Sequence, residues 1–159
     1  MDRNQFITLV ESEQAQLRRY LLALCCGDRD EADDIAQDAL VKAYLSSAGF
    51  DNVERFTAWI YTIAYRTFID YRRGSRQQRT LDECRSVADP SQQADGAFCY
   101  QELYAALDQL PPRERGAVLL YYIKGYSVKE IAQIVDGSDD AVRQQLSRGR
   151  KHLKEIMTL

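Results

Sequence analysis

Histidine, proline and strand-like alternation are all scarce in this chain, and each shortage closes off a class of function. The single histidine, His152, accompanies four cysteines, Cys25, Cys26, Cys84 and Cys99, which show no C-x-x-C pair, so the usual zinc ligand sets cannot be assembled. The cysteines are therefore expected to be reduced thiols, and no metal is expected. There is no Gly-rich phosphate loop, and one histidine among acids that sit at helix starts makes a poor catalytic set, so no enzyme chemistry and no cofactor is expected either. No apolar run approaches the roughly 20 residues of a membrane span, and no secretory leader opens the chain. A cytoplasmic chain without membrane insertion is the expectation. Only Pro90, Pro111 and Pro112 interrupt the helical periodicity, and no alternating pattern persists, which predicts an all-α fold.

What is present is ordinary in amount and uneven in placement. The chain has 159 residues, enough for one domain or two small ones, and its 45% hydrophobic and 28% charged content suits a globular protein. A net charge of -3 argues against a generally basic nucleic-acid coat protein. Yet residues 1–78 carry ten Lys or Arg against twelve Asp or Glu, residues 79–110 two against six, and residues 111–159 nine against six. From Ala141 to Lys154 five basic residues occur without one acid. Such a concentration is either an electrostatic footprint for phosphates or a solvated helix face.

The periodicity predicts a first helix over Arg3 to Cys25, ended by Cys26-Gly27-Asp28, and a second to about Ser46 whose acidic start favours the helix dipole. Gly49 to Asn52 breaks the chain before a third, aromatic-rich helix from Phe56 to about Arg73. Arg79 to Gly96 is polar, contains Pro90 and lacks periodicity, which predicts a flexible linker. A helix over Ala97 to Leu110 stops at Pro111-Pro112 and another begins at Arg113. The organisation expected is two small helical domains, 1–78 and 97–159, joined by residues 79–96.

The stretch from Tyr126 to Leu153 reads as two short amphipathic helices around a tight turn at Gly137, a helix-turn-helix. Its second helix places Val142, Leu146 and Leu153 on one stripe and leaves Arg143, Gln144, Ser147, Arg148 and Lys151 to face a DNA groove. In the second helix of the chain, Ala32, Ile35, Ala36, Ala39 and Ala43 form an inner stripe. The opposite face holds Asp34, Gln37, Asp38, Val41, Lys42 and Leu45, so two aliphatic residues sit among charges. That pattern is a docking patch, or else Val41 and Leu45 pack on the first helix. In the third helix Ile60, Ile63, Ala64, Thr67 and Tyr71 make a predicted core stripe, with Tyr61, Thr62, Tyr65, Arg72, Arg73 and Arg76 on the outer face. Exposed aromatics beside arginines suit single-stranded nucleic acid, since stacking contributes roughly 1–3 kcal/mol per base; the alternative is an aromatic core helix.

Taken together, these segments resemble the bacterial sigma factors of the extracytoplasmic-function group, the short two-domain kind. Asp33-Asp-Ile-Ala-Gln-Asp-Ala-Leu-Val-Lys-Ala-Tyr44 is similar to the family's core-polymerase-binding segment. Phe50 through Arg73 is similar to its promoter-melting loop and helix. Leu110-Pro-Pro-Arg-Glu-Arg, Tyr126-Ser-Val-Lys-Glu-Ile-Ala and Val142 through Arg150 resemble its fourth conserved region. The order and spacing of these motifs over nearly the whole chain carry the resemblance.

The resemblance implies a promoter-specificity subunit with core RNA polymerase and promoter DNA, both duplex and single-stranded, as partners. It assigns Asp34, Gln37, Asp38, Val41, Lys42 and Leu45 to a coiled coil of the polymerase. It assigns Phe50, Asn52, Arg55 and Phe56 to a loop that captures a flipped base of the minus-ten element, with Trp59, Tyr61, Tyr65, Arg66, Arg72 and Arg73 near the opened strand. Arg143, Gln144, Ser147 and Arg148 would read the minus-thirty-five element, while Ser127, Lys129, Arg150 and Lys151 would hold phosphates. An anti-sigma factor clamping both domains is a further implied partner. Two departures stand out. Asp139 and Asp140 open the recognition helix where relatives carry small uncharged residues; either they cap it and turn from DNA, which is the expectation, or affinity and base preference differ from the family norm. Tyr44 replaces a common tryptophan and is expected at a buried edge. The main alternative function is a stand-alone helix-turn-helix regulator with an N-terminal sensor or dimerisation domain, which would bind duplex DNA without polymerase.

Overall fold

The computed structural model of the chain describes residues 1–50, 52–78 and 97–157, and among them every regular element is helical. The expected linker falls on residues 79–96 and lies outside the described residues. Helices α1 (Arg3–Leu24), α2 (Arg29–Ser46) and α3 (Phe56–Gln78) make the N-terminal half. Helices α4 (Ala97–Asp108), α5 (Pro112–Lys124), α6 (Val128–Val135) and α7 (Asp139–Met157) make the C-terminal half. Short 3-10 turns over Ser47–Gly49 and Val53–Arg55 carry the chain from α2 into α3.

Local chemistry sets most of these boundaries. Asp2 accepts from the Gln5 amide at 2.8 Å while the Gln5 side chain accepts from the Asp2 amide at 3.3 Å, a reciprocal cap for α1. Asp28 accepts from the Glu31 amide at 3.2 Å, and Asp30 and Glu31 complement the positive end of α2. Pro111 and Pro112 stop α4 and start α5, and α5 ends at Gly125 in the left-handed region, φ 69°. Ser127 and Glu130 form a second reciprocal cap at α6. At α7 the Ser138 hydroxyl accepts from the Ala141 amide at 3.1 Å. Ser138 is thus the side-chain cap, and the expectation that Asp139 and Asp140 cap this helix is corrected: their carboxylates are exposed in the first turn, where they favour the dipole.

In the N-terminal half α2 lies against both α1 and α3, burying Leu17, Tyr20, Leu21, Leu24, Ile35, Ile60, Ala64 and Phe68. In the C-terminal half α5 and α6 pack on α7 around Leu120, Ile131, Ile134, Val142 and Leu146. The two halves then pack on each other, α6 on α3 and α5 on α1, and their buried side chains join in one cluster. Sequence patterning anticipates two helical units; their mutual contact was not part of that expectation.

Arg115 locks the halves together. Only 3% exposed, it donates from Nε to the Leu107 carbonyl at 2.8 Å and from its two terminal nitrogens to Leu110 at 3.0 Å and to Leu24 at 2.6 Å. One planar guanidinium therefore donates to carbonyls at the C-terminal ends of both α4 and α1, where intrahelical partners run out.

Close packing also explains Gly149. A Cβ built there would lie 2.5 Å from Cγ2 of Val118, a β-branched side chain with little rotamer freedom in a helix. Gly74, in α3, has open space in the same position. Alanine favours a helix interior over glycine by about 1 kcal/mol. Gly74→Ala is accordingly expected to stabilise the protein by up to that amount, and Gly149→Ala to destabilise it by about 1–3 kcal/mol through overpacking. Urea unfolding followed by far-ultraviolet circular dichroism checks both; a stabilised Gly149→Ala protein would contradict the α5–α7 packing described.

Candidate docking and nucleic-acid interfaces

Helix α2 buries its alanine-rich stripe, with Ala32, Ile35, Ala36, Ala39 and Ala43 at most 5% exposed, and this turns the opposite face outward. Asp34, Gln37, Asp38, Val41, Lys42 and Leu45 all lie exposed on that face. Val41 is 58% and Leu45 74% exposed, so neither is buried against α1, and among the described residues the aliphatic pair stands open between charges. Two of the charged side chains are held from α3. The Tyr71 hydroxyl donates to Asp38 Oδ2 at 2.9 Å, and Lys42 Nζ donates to Thr67 Oγ1 at 3.4 Å. The Tyr71 phenol is pushed up to about 12, first by that bond to Asp38, which stabilises its neutral form. Tyr44 is 47% exposed and meets Phe6 edge-on at 5.5 Å, so the expected buried edge is a half-open one.

The loop into α3 is organised by aromatic rings. Phe50 stacks on Trp59 with centroids 4.4 Å apart and planes 8° from parallel, Trp59 leans on Phe56 at 5.8 Å, and Phe56 meets Phe6 at 6.0 Å. Phe56 is a core residue, 1% exposed, whereas Phe50 and Trp59 are half-buried at the surface. Asn52 and Arg55 before α3, and Arg66 and Arg73 along it, are exposed.

Three expected outer-face residues are not on the surface. Tyr61 and Tyr65 are 0% and 4% exposed and Arg72 9%. Arg72 lies over the Phe68 ring at 5.3 Å with its Nε 3.4 Å from the buried Glu31 carboxylate. Tyr61 is edge-on to Tyr20 at 5.2 Å and to Tyr126 of the C-terminal half at 6.2 Å. Tyr65 covers Gly116, where an added Cβ would fall 2.6 Å from its ring. Burial pushes both phenols up, and Tyr126 to about 12. Conversely Tyr71, placed by periodicity in the core stripe, is only half-buried. The physical reason is that α3 is sandwiched between α2 and the C-terminal half, and a single-stripe periodicity cannot anticipate a second packed face.

Lys124 joins this seam. Its ammonium lies 3.3 Å from Glu13 Oε2, 2.6 Å from Gln16 Oε1 and 5.3 Å from the centre of the Tyr61 ring. Glu13 in turn accepts from Thr57 Oγ1 at 3.3 Å. No sequence signal pairs Glu13 with Lys124 across 111 positions. The same holds for the contacts of Arg115 with Leu24 and of Tyr126 with Tyr61.

On α7 the expected apolar stripe is buried at Val142, 0% exposed, and Leu146, 4%, while Leu153 near the helix end is only partly buried. Arg143, Gln144, Ser147, Arg148, Arg150 and Lys151 are all exposed, as are Ser127 and Lys129 at the start of α6. Arg143 pairs with Asp140 at 3.2 Å, an exposed pair one helical turn apart that contributes little to stability and is readily exchanged for another anion. The Ser127 hydroxyl is engaged as a cap and the Arg150 guanidinium lies over the rings of Tyr121 and Tyr122.

The seam makes a measurable prediction. Lys124 and Glu13 side chains are 12% and 21% exposed, so reversing one charge leaves two carboxylates poorly screened against each other. Lys124→Glu is expected to increase the radius of gyration in small-angle X-ray scattering, and the double reversal Glu13→Lys with Lys124→Glu to restore it. An unchanged radius in the single variant would argue against this contact as a latch.

Two family models match the chain: Sigma-70 region 2 over residues 9–79 and Sigma-70, region 4 over residues 100–153. Curated relatives are similar across most of their length. The ECF RNA polymerase sigma factor EcfG of Rhodopseudomonas palustris is 29% identical over 89% of this chain and 78% of its own. The SigM proteins of two Mycobacterium tuberculosis strains are 28% identical over 98% of this chain and 79% of their own. Among solved structures, the sigma factor RpoE in complex with the anti-sigma factor NepR from Bartonella quintana superposes with a TM-score of 0.77 at 24% identity, covering 99% of this chain and 96% of that one. CnrH in complex with the cytosolic domain of CnrY gives 0.74 at 22% identity, covering 99% and 90%.

Proposed function

The chain belongs to the sigma-70 family of RNA polymerase sigma factors, in its extracytoplasmic-function group, and from this membership we propose which residues perform each part of its work. As a sigma factor it binds core polymerase and directs promoter-specific initiation; such factors are regulators and not enzymes, so the bond-forming chemistry belongs to the polymerase. Core polymerase and promoter DNA are its partners.

Residues 1–78 serve as the core-binding and minus-ten domain and residues 97–159 as the minus-thirty-five domain. Asp34, Gln37, Asp38, Val41, Lys42 and Leu45 dock on the polymerase. The observation that carries this assignment is the open Val41–Leu45 pair, flanked by an Asp38 and a Lys42 already held by Tyr71 and Thr67. Side chains held before docking lose less rotamer freedom when they bind. Phe50, Asn52, Arg55 and Trp59 receive the flipped minus-ten base, the Phe50–Trp59 stack offering a ready aromatic platform. Arg66 and Arg73 follow the strand's phosphates. On α7, Arg143, Gln144, Ser147 and Arg148 read base edges, while Ser127, Lys129, Arg150 and Lys151 contact the backbone.

Tyr61, Tyr65 and Arg72 reach the opened strand only after the C-terminal half leaves α3 or local packing loosens. The conformation described here is a closed one, and docking on polymerase opens it. A closed majority lowers apparent affinity for unpaired DNA by the fraction that is open, which keeps the free chain from capturing stray single strands. Tyr61 and Tyr126 bury hydroxyls with no hydrogen-bond partner among the described residues, so opening returns those groups to water and offsets part of the lost ring contact. The sigma factor RpoE was captured with the anti-sigma factor NepR and CnrH with the cytosolic domain of CnrY, and an anti-sigma factor is proposed as a further partner of this chain.

Reconstitution with a bacterial core polymerase tests the assignment through run-off transcription from a selected promoter pool. Asp38→Arg is expected to weaken core affinity about ten-fold or more while leaving the selected promoter sequence unchanged. Arg148→Ala is expected to lose about 1–3 kcal/mol of discrimination at one upstream base pair with core affinity intact. Undiminished core affinity in Asp38→Arg would remove the docking assignment. Tight promoter binding by the chain without polymerase would favour the stand-alone regulator instead.

A further inference from the structure

Two tyrosines at the end of α5 are exposed without an assigned task. Tyr121 is 36% and Tyr122 61% exposed, and their rings meet edge-on at 5.1 Å. The Arg150 guanidinium lies over both, 4.8 Å from the Tyr121 centroid and 5.6 Å from that of Tyr122. Tyr121 and Arg150 also line a groove of about 370 Å³ together with Val128, Arg143, Leu146 and Ser147. The groove thus runs along the flank of α7 between side chains assigned above to base edges and the start of α6.

We infer that Tyr121 and Tyr122 are positioning residues for DNA: their rings hold Arg150 in place as a backbone-phosphate contact beside the recognition helix. The inference deepens the proposed minus-thirty-five reading and rests on it. Arg150 has no ion pair among the described residues, whereas Arg143, one of its neighbours in the groove, is paired with Asp140. Ring faces attract a guanidinium without neutralising it, and they occupy its flat side while leaving the in-plane N–H edge available to an oxygen acceptor. A long side chain held this way has already lost much of its rotamer freedom, so the phosphate contact costs less entropy than one made by a freely moving arginine. A carboxylate partner would hold Arg150 equally well but would have to be displaced by the phosphate. Two exposed rings do the holding without that competition.

The role requires aromatic faces and not hydroxyls, which separates it from direct phosphate bonding by the tyrosines. The test uses holoenzyme assembled with wild-type chain, Tyr121→Ala/Tyr122→Ala, Tyr121→Phe/Tyr122→Phe, Arg150→Ala and the triple alanine variant, with circular dichroism confirming the fold of each. Promoter affinity is measured against salt concentration on a promoter selected by the wild-type holoenzyme, and core affinity is measured separately. The double alanine variant is expected to weaken promoter binding about three- to ten-fold with core affinity unchanged, and the double phenylalanine variant to restore it. Arg150→Ala is expected to reduce the salt slope by about one, the loss of one phosphate contact, with the triple variant no weaker than Arg150→Ala by itself. Additive losses in the triple variant, failure of phenylalanine to rescue, or a loss confined to core affinity would each overturn the inference, the last by assigning the tyrosine pair to a protein partner. A full salt slope in Arg150→Ala would overturn it through Arg150 itself. A holoenzyme that selects no promoter at all would instead defeat the reading on which it rests.

Discussion

One seam between two small helical units governs what each surface of this molecule can do. Arg115, anchored on the Leu107 and Leu110 carbonyls of its own half, crosses it to the Leu24 carbonyl, Lys124 crosses it to Glu13 and Gln16, and Tyr61 and Tyr65 are sealed beneath it. Neither unit is large enough to bury much apolar surface by itself, so their contact adds core to both. The same contact hides aromatic side chains of α3. Stability and concealment thus arise from one set of interactions, and whatever separates the halves alters both together.

The surfaces left open by this closure fall on opposite logic. The α2 face is displayed because its inner stripe is almost entirely alanine and isoleucine, which lets the helix lie close to its neighbours and leaves Val41 and Leu45 with no interior to enter. The α7 face is displayed because Val142, Leu146 and Gly149 fasten the opposite side, with Gly149 allowing α5 to approach through Val118. In both cases the side chains packed inside fix which face of the helix is left outward. The charge distribution follows the same division, with acids flanking the apolar patch on α2 and cations along α7. A net acidic chain can thereby present one basic surface to phosphates without becoming a general nucleic-acid binder.

Much of the fold could be read directly from the residues. The α2 stripe, the acidic start of α2, the stop at Pro111-Pro112 and the core of the α7 stripe were each legible, because helix-end chemistry and amphipathic spacing act within a few residues. The exposed α2 and α7 faces were legible on the same ground, as the complements of those stripes. The outer face of α3 was not. Tyr61, Tyr65 and Arg72 look external when α3 is given one buried stripe, and they are buried because α3 is covered twice. Asp139 and Asp140 also misled, since Ser138, one residue earlier, supplies the oxygen that caps α7.

The amino-acid sequence by itself determined the helices, their ends, the two amphipathic faces that remain open and the family to which the chain belongs, since all of these rest on short-range spacing and ordered motifs. Only the tertiary structure decided that the two units close on each other, that Tyr61 and Tyr65 lie inside that closure, and that Arg150 lies on a pair of tyrosine rings. Such pairings join residues far apart along the chain through shape and charge fit, which no local periodicity encodes.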